Sequence, residues 1–158
     1  MHGAKLIRCL LAVSTFLFLT GNAHAVEIER AEFVVGIAEG DFEPVYYRAD
    51  KVPLLPDRAC FGWRIKIAGD ETLIHTKEIL TLPEQPVYWS GEDDAYDTSR
   101  ISEDRTTAIT EEYRAVKDGW VENYWCVSEG DPTGECSIEV FFGDLQAGRF
   151  DFQIISVN

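Results

Sequence analysis

Two groups of side chains in this sequence have chemistry suited to engaging a ligand: a run of carboxylates, and aromatic rings that come in adjacent pairs. Glu92-Asp93-Asp94-Ala95-Tyr96-Asp97 is strongly acidic. Carboxylate and carbonyl oxygens in such a stretch can hold calcium. The run lacks the alternating ligands, central Gly and terminal Glu of an EF-hand, however. It reads as a solvated loop over 91–102 whose Asp93, Asp94 and Asp97 form an acidic rim for a partner. Asp94 with Asp97 is also the candidate pair for acid–base hydrolysis, which needs carboxylates about 5–9 Å apart across a cleft. Two carboxylates within one loop do not supply that cleft. The aromatic pairs are Tyr46-Tyr47, Tyr88-Trp89 and Tyr124-Trp125. Neighbours in a strand point to opposite faces, so each pair sends one ring outward. Outward Tyr and Trp suit protein recognition and stacking on sugars, which makes Tyr88, Trp89 and Trp120 the candidate contact residues.

Nucleophilic and metal chemistry find less support. Beyond the first 25 residues His75 is the sole histidine, so any Ser-His-Asp or Cys-His triad must use it. It lies in Leu73-Ile74-His75-Thr76-Lys77, which reads as a strand, and no G-x-S-x-G elbow accompanies it. Catalytic zinc sites usually take more than one histidine. The sequence therefore assigns no catalytic residue, metal or cofactor, and the expectation is a non-enzymatic domain.

Cys60, Cys126 and Cys136 lie beyond Cys9. An odd number leaves one thiol over. Cys126 and Cys136 flank the turn-rich Ser128-Glu129-Gly130-Asp131-Pro132-Thr133-Gly134, and a hairpin there would bring their sulfurs within bridging range. So short a loop is stabilised by about 2–3 kcal/mol on closure. Cys126–Cys136 is thus the expected disulfide, with Cys60–Cys126 the alternative pairing. No C-x-x-C spacing supports a metal site.

The elements that would carry these groups are strands. Phe61, Trp63, Ile65 and Ile67 alternate with Gly62, Arg64 and Lys66, as a half-buried antiparallel strand requires. The same beat runs through Ile138, Val140 and Phe142, through Phe150, Phe152 and Ile154, and through Phe33, Val35 and Ile37. Gly69-Asp70, Gly130-Asp131-Pro132 and Gly143-Asp144 are turns. Asp118-Gly119 is a hairpin signal joining 106–116 to 120–127. Thr110–Lys117 has some helical character, but the turn that follows favours a strand. About seven to nine short strands separated by turns predict an all-β antiparallel sandwich.

The first residues have the form of a secretory signal. Lys5 and Arg8 form a positive n-region, Leu6 to Leu19 is an almost unbroken apolar run, and Ala23-His24-Ala25 is a small-x-small cleavage site. The run is too short for a spanning helix, which needs roughly 20 residues. Residues 1–25 are thus the expected signal peptide, cleaved after Ala25, and 26–158 one domain in the periplasm or outside the cell, without stable membrane insertion. Loss of Lys5 and Arg8 takes the net charge of −14 to about −16. Such a surface repels nucleic acid and anionic lipid and suits cationic partners.

Near the C-terminus, Trp125-x-Val127, Glu129-Gly130-Asp131-Pro132-x-Gly134, Ile138-x-Val140 and Phe150-x-Phe152 resemble the last strands of immunoglobulin-like domains in bacterial exported proteins. The resemblance implies an immunoglobulin-like sandwich and no particular activity. Trp63 follows Cys60 by three residues, where antibody domains leave about a dozen. The reading that results is an exported binding module. It would recognise a protein through an aromatic sheet face with an acidic rim, or alternatively a carbohydrate, with a loop-carboxylate hydrolase as a third class.

Overall fold

A computed structural model describes residues 26–40, 43–89 and 99–157. The expected signal peptide and the acidic run with Asp93, Asp94 and Asp97 lie outside the described residues. Those described form ten strands and no helix: β1 (Glu27–Ile37), β2 (Val45–Arg48), β3 (Lys51–Pro53), β4 (Ala59–Ala68), β5 (Leu73–Thr81), β6 (Ser99–Ile101), β7 (Thr107–Ala115), β8 (Trp120–Cys126), β9 (Gly134–Phe142) and β10 (Leu145–Ile155). The Thr110–Lys117 stretch is strand, as its Asp-Gly turn suggested.

Two sheets divide the strands. One has four in the order β2-β1-β4-β8 and the other six in the order β3-β10-β9-β5-β7-β6. All pairings are antiparallel except β3 with β10. Alternation decides which side of each strand is buried. Phe61, Trp63, Ile65 and Ile67 of β4 face the other sheet at 0–3% exposure, as their spacing predicts. They meet Leu80, Ile138, Val140, Phe152 and Ile154, all nearly inaccessible. Phe33 stacks on Phe152 with ring centroids 4.6 Å apart, joining the first strand to the last. Burying large apolar side chains in this way stabilises by about 1.5–3 kcal/mol each.

Two chain reversals depart from the sequence reading. The Asp118–Gly119 turn does form, with both residues at positive φ (52° and 79°) as a type I′ hairpin turn needs. Only the Lys117↔Trp120 bridge follows it. Beyond that bridge β7 enters the six-stranded sheet and β8 the four-stranded one. The next connection crosses between sheets as well. Cys126 ends β8, while Cys136 faces the core from β9, opposite Phe152.

The expected Cys126–Cys136 disulfide is therefore corrected. Cys60 bonds Cys126, its register partner across β4 and β8, with Cα atoms 3.9 Å apart. The bridge lies within one sheet and not between the two as in antibody domains. Among the described residues Cys136 is the free thiol, buried and with its pKa shifted up to about 11 by loss of solvent, with Glu135 and Asp131 adding to the shift.

Candidate partner-binding groove

Where β7 and β8 part, the side of the sandwich opens into a groove of about 430 Å³. Tyr113, Arg114 and Lys117 line one wall, and Trp120, Glu122 and Tyr124 the other. Strand parity explains the composition. Trp120, Glu122 and Tyr124 share the outer face of β8, paired with Lys66, Arg64 and Gly62 of β4. Arg114 pairs with Ile74 and so projects between the sheets.

Its guanidinium spans the gap. Nη1 donates to the Glu122 carbonyl at 3.2 Å and Nη2 donates to the Glu112 carboxylate. It also lies 6.0 Å from the Trp63 ring centroid, near the outer limit of cation–π attraction. Trp120 is half-buried beneath the Arg64 guanidinium, 5.0 Å from the ring centroid. Tyr113 is 68% exposed and contacts His75, with ring centroids 5.0 Å apart.

Inside the groove wall, Asn123 reaches a buried carboxylate. Its Nδ2 donates to Glu78 at 2.8 Å, and the Trp63 and Trp125 indole N–H groups donate to the same carboxylate. Glu78 is 3% exposed. It joins β5 in one sheet to β4 and β8 in the other and is fully hydrogen-bonded, which makes it a tie between sheets. It was hidden in the sequence because Ile74, Thr76, Glu78 and Leu80 share one face, and two of the four are polar.

The outer face of the four-stranded sheet carries a second ordered system. Glu32, 5% exposed, meets Arg64 at 2.8 Å, Arg30 at 3.4 Å and Arg48 at 3.8 Å. Burial pushes its pKa up, but the Arg64 hydrogen bond and the charges of Arg64, Arg30 and Arg48 outweigh this and lower it. Tyr46 and Tyr124 pack at a tilt over the inner strands, with ring centroids 4.5 Å apart. Gly36 and Gly62 make room beneath: a Cβ on Gly62 would sit 2.1 Å from the Asn123 carbonyl oxygen. The Tyr124 hydroxyl donates to Glu122 at 2.9 Å. Burial first, then that bond and the Glu122 charge, holds its proton well above the usual phenol range.

The residues singled out from sequence are dispersed. Trp120 lines the groove. Tyr88 is 53% exposed and lies apart from it, beside a small hollow formed with Leu82, Trp125 and Asp131. Trp89 is corrected as a contact residue: it is 4% exposed, stands edge-on to Trp125 and donates its indole N–H to the Arg105 carbonyl at 3.0 Å. Tyr88 and Trp89 lie between β5 and β6, outside any strand, so strand alternation does not apply to them; the exposed ring is the tyrosine. His75 sits on the outer face of the six-stranded sheet, in a hollow with Lys77, Glu111 and Asp144. Among the described residues no cluster of three or more His, Cys, Asp or Glu side chains could hold a metal.

A family model, the PM0630 beta sandwich domain, matches residues 31–155. The chain belongs to the PM0630 beta sandwich domain family. The match runs from β1 through β10 and so takes in both sheets and the groove between β7 and β8. An immunoglobulin-like protein of Pseudomonas aeruginosa superposes on this family member with a TM-score of 0.52 at 16% identity, covering 85% of this chain and 100% of its own. That similarity shows an immunoglobulin-like sandwich, in line with the motifs at the C-terminal end. The DNA-bound alkylpurine DNA glycosylase AlkC of Pseudomonas fluorescens aligns at a TM-score of 0.40 and 9% identity, over 82% of this chain and 30% of its own. No curated protein matches this family member in sequence.

Proposed function

We propose that this domain is a non-catalytic binding module that acts outside the cytoplasm and takes a protein partner at the β7–β8 groove. The observation that carries the reading is the groove itself. It gathers Tyr113, Trp120 and Tyr124 with Glu112, Arg114 and Glu122 in one opening between β7 and β8. Aromatic and Arg side chains beside one another are the composition of interface hot spots. The Cys60–Cys126 disulfide and the immunoglobulin-like fold are compatible with an oxidising, extracytoplasmic setting.

The test is chemical crosslinking of the purified protein in envelope extract, with Trp120→Ala and an Asp93/Asp94-neutralised form alongside. The expected result is a discrete crosslinked partner, lost from Trp120→Ala and weakened by neutralising the acidic run. Equal capture by Trp120→Ala would overturn the groove as the site. A second reading, carbohydrate binding, is favoured by Trp120 lying within a wall of polar side chains that can hydrogen-bond hydroxyls. A glycan array with the same Trp120→Ala control separates the two.

A further inference from the structure

We propose that β8 is a docking edge for an extended, basic segment of another polypeptide, which adds to the four-stranded sheet as a fifth strand. This rests on the binding-module reading and names its mode.

Four strands stand at sheet edges, and they are unlike. β2 has four residues, β3 and β6 three each, and β8 seven. Short edge strands are how sheets avoid pairing with other chains. Among the described edge strands β8 alone is long, and it holds an unbroken register with β4 from Lys66↔Trp120 to Cys60↔Cys126.

The direction of its peptide groups follows from the ladder. Val127 N–H donates to Ala59, and Ile67 N–H to Gly119, so the odd-numbered positions of β8 bond to β4. The N–H and C=O of Glu122, Tyr124 and Cys126 therefore point away from β4, toward the groove. Arg114 confirms this parity by donating to the Glu122 carbonyl. Among the described residues, Trp120 alone of this set is paired in the backbone, to Lys117. An incoming strand would replace Arg114 on Glu122 and continue along Tyr124 and Cys126.

The edge is also held ready. Cys126 is bonded to Cys60, and Asn123 and Trp125 are tied to Glu78 on the inward face. A template fixed in advance lowers the ordering cost of binding. Charge selects the occupant: a chain of net charge −14 attracts a basic segment and repels a second copy of itself.

The experiment pans a phage-displayed library of random linear peptides against the purified protein. Selected peptides are then measured with Glu122→Pro, Glu122→Ala and peptides N-methylated at alternate residues. Glu122→Pro deletes an N–H that β4 does not use, and edge strands accept proline there. Lys- and Arg-rich peptides are expected, slowing hydrogen exchange at the Glu122, Tyr124 and Cys126 amides. N-methylation or Glu122→Pro should weaken them by about tenfold or more, and Glu122→Ala by less. If Glu122→Pro does not fold, the N-methylated peptides carry the comparison alone. Equal binding of N-methylated peptides, selection of acidic ones, or pairing of two copies through β8 would each overturn the proposal. An empty selection with Trp120-dependent capture of a folded protein overturns strand addition and leaves the binding-module reading standing. An empty selection with no capture overturns both.

Discussion

At the scale of single residues, Glu78 and Tyr124 are polar groups whose surroundings fix their hydrogen-bond partners. The Glu78 carboxylate accepts from two indoles and one amide, all neutral. Glu78→Ala would leave three donors facing an apolar interior, and each buried unsatisfied donor costs about 1–3 kcal/mol. We expect a loss of about 3–5 kcal/mol by urea denaturation. Glu78→Gln keeps the shape but turns an NH2 toward one of the donors, so its loss should be smaller. Tyr124 behaves oppositely to a surface phenol. Its folded pKa lies above the unfolded value of about 10, so its contribution to stability is whole below that pH and falls away as pH rises further. Absorbance titration at alkaline pH should show Tyr124 ionising late, and Glu122→Gln should shorten the delay. Cys136, its thiol raised to about 11, should resist alkylation until the protein unfolds.

At the scale of elements, what sequence periodicity conveys and what it omits can be located strand by strand. The alternation in β4, β9 and β10 gives both their extent and their buried face, because each has an apolar side and a polar one. β5 keeps its extent but hides its face, since Thr76 and Glu78 point inward. The Asp118-Gly119 signal correctly marks a turn, yet a turn says only that the chain reverses. Whether two strands then stay paired depends on which sheet has room for each. That choice separated β7 from β8, opened the groove, and put Cys126 beyond reach of Cys136. The groove was legible through Trp120 and through Tyr124 as one of an aromatic pair; Arg114 and Glu122 join it through tertiary placement. A prediction at this scale concerns Gly62. A Cβ there would collide with the β8 backbone at Asn123 and with the Tyr124 ring. Gly62→Ala should push β8 off β4 and cost about 2 kcal/mol or more, with loss of exchange protection concentrated in β8.

At the scale of the whole molecule, the Cys60–Cys126 bond closes a loop of 66 residues in sequence. In the chain-entropy model a loop of that size contributes about 4 kcal/mol, more than the short hairpin bridge would have done. Cys126→Ser should therefore lower the denaturation midpoint markedly, while Cys136→Ala should leave the bridge intact, as peptide mapping of the oxidised protein would show. The fold class and the buried faces of β4, β9 and β10 were legible in sequence because composition and alternation are local properties. The division of strands between sheets, and hence the disulfide and the groove, is a property of the assembled sandwich.

The position of β10 carries a consequence for the order of events. Although last among the described strands, it lies inside its sheet, between β9 and the parallel β3. Phe152 on β10 is the ring against which Phe33 of β1 stacks. The first strand thus waits for β10, and the core cannot close until that strand has been delivered. Such long-range closure makes for slow folding. A domain whose two sheets stay apart until β10 arrives leaves their apolar faces open meanwhile, and it needs protection from aggregation during that wait.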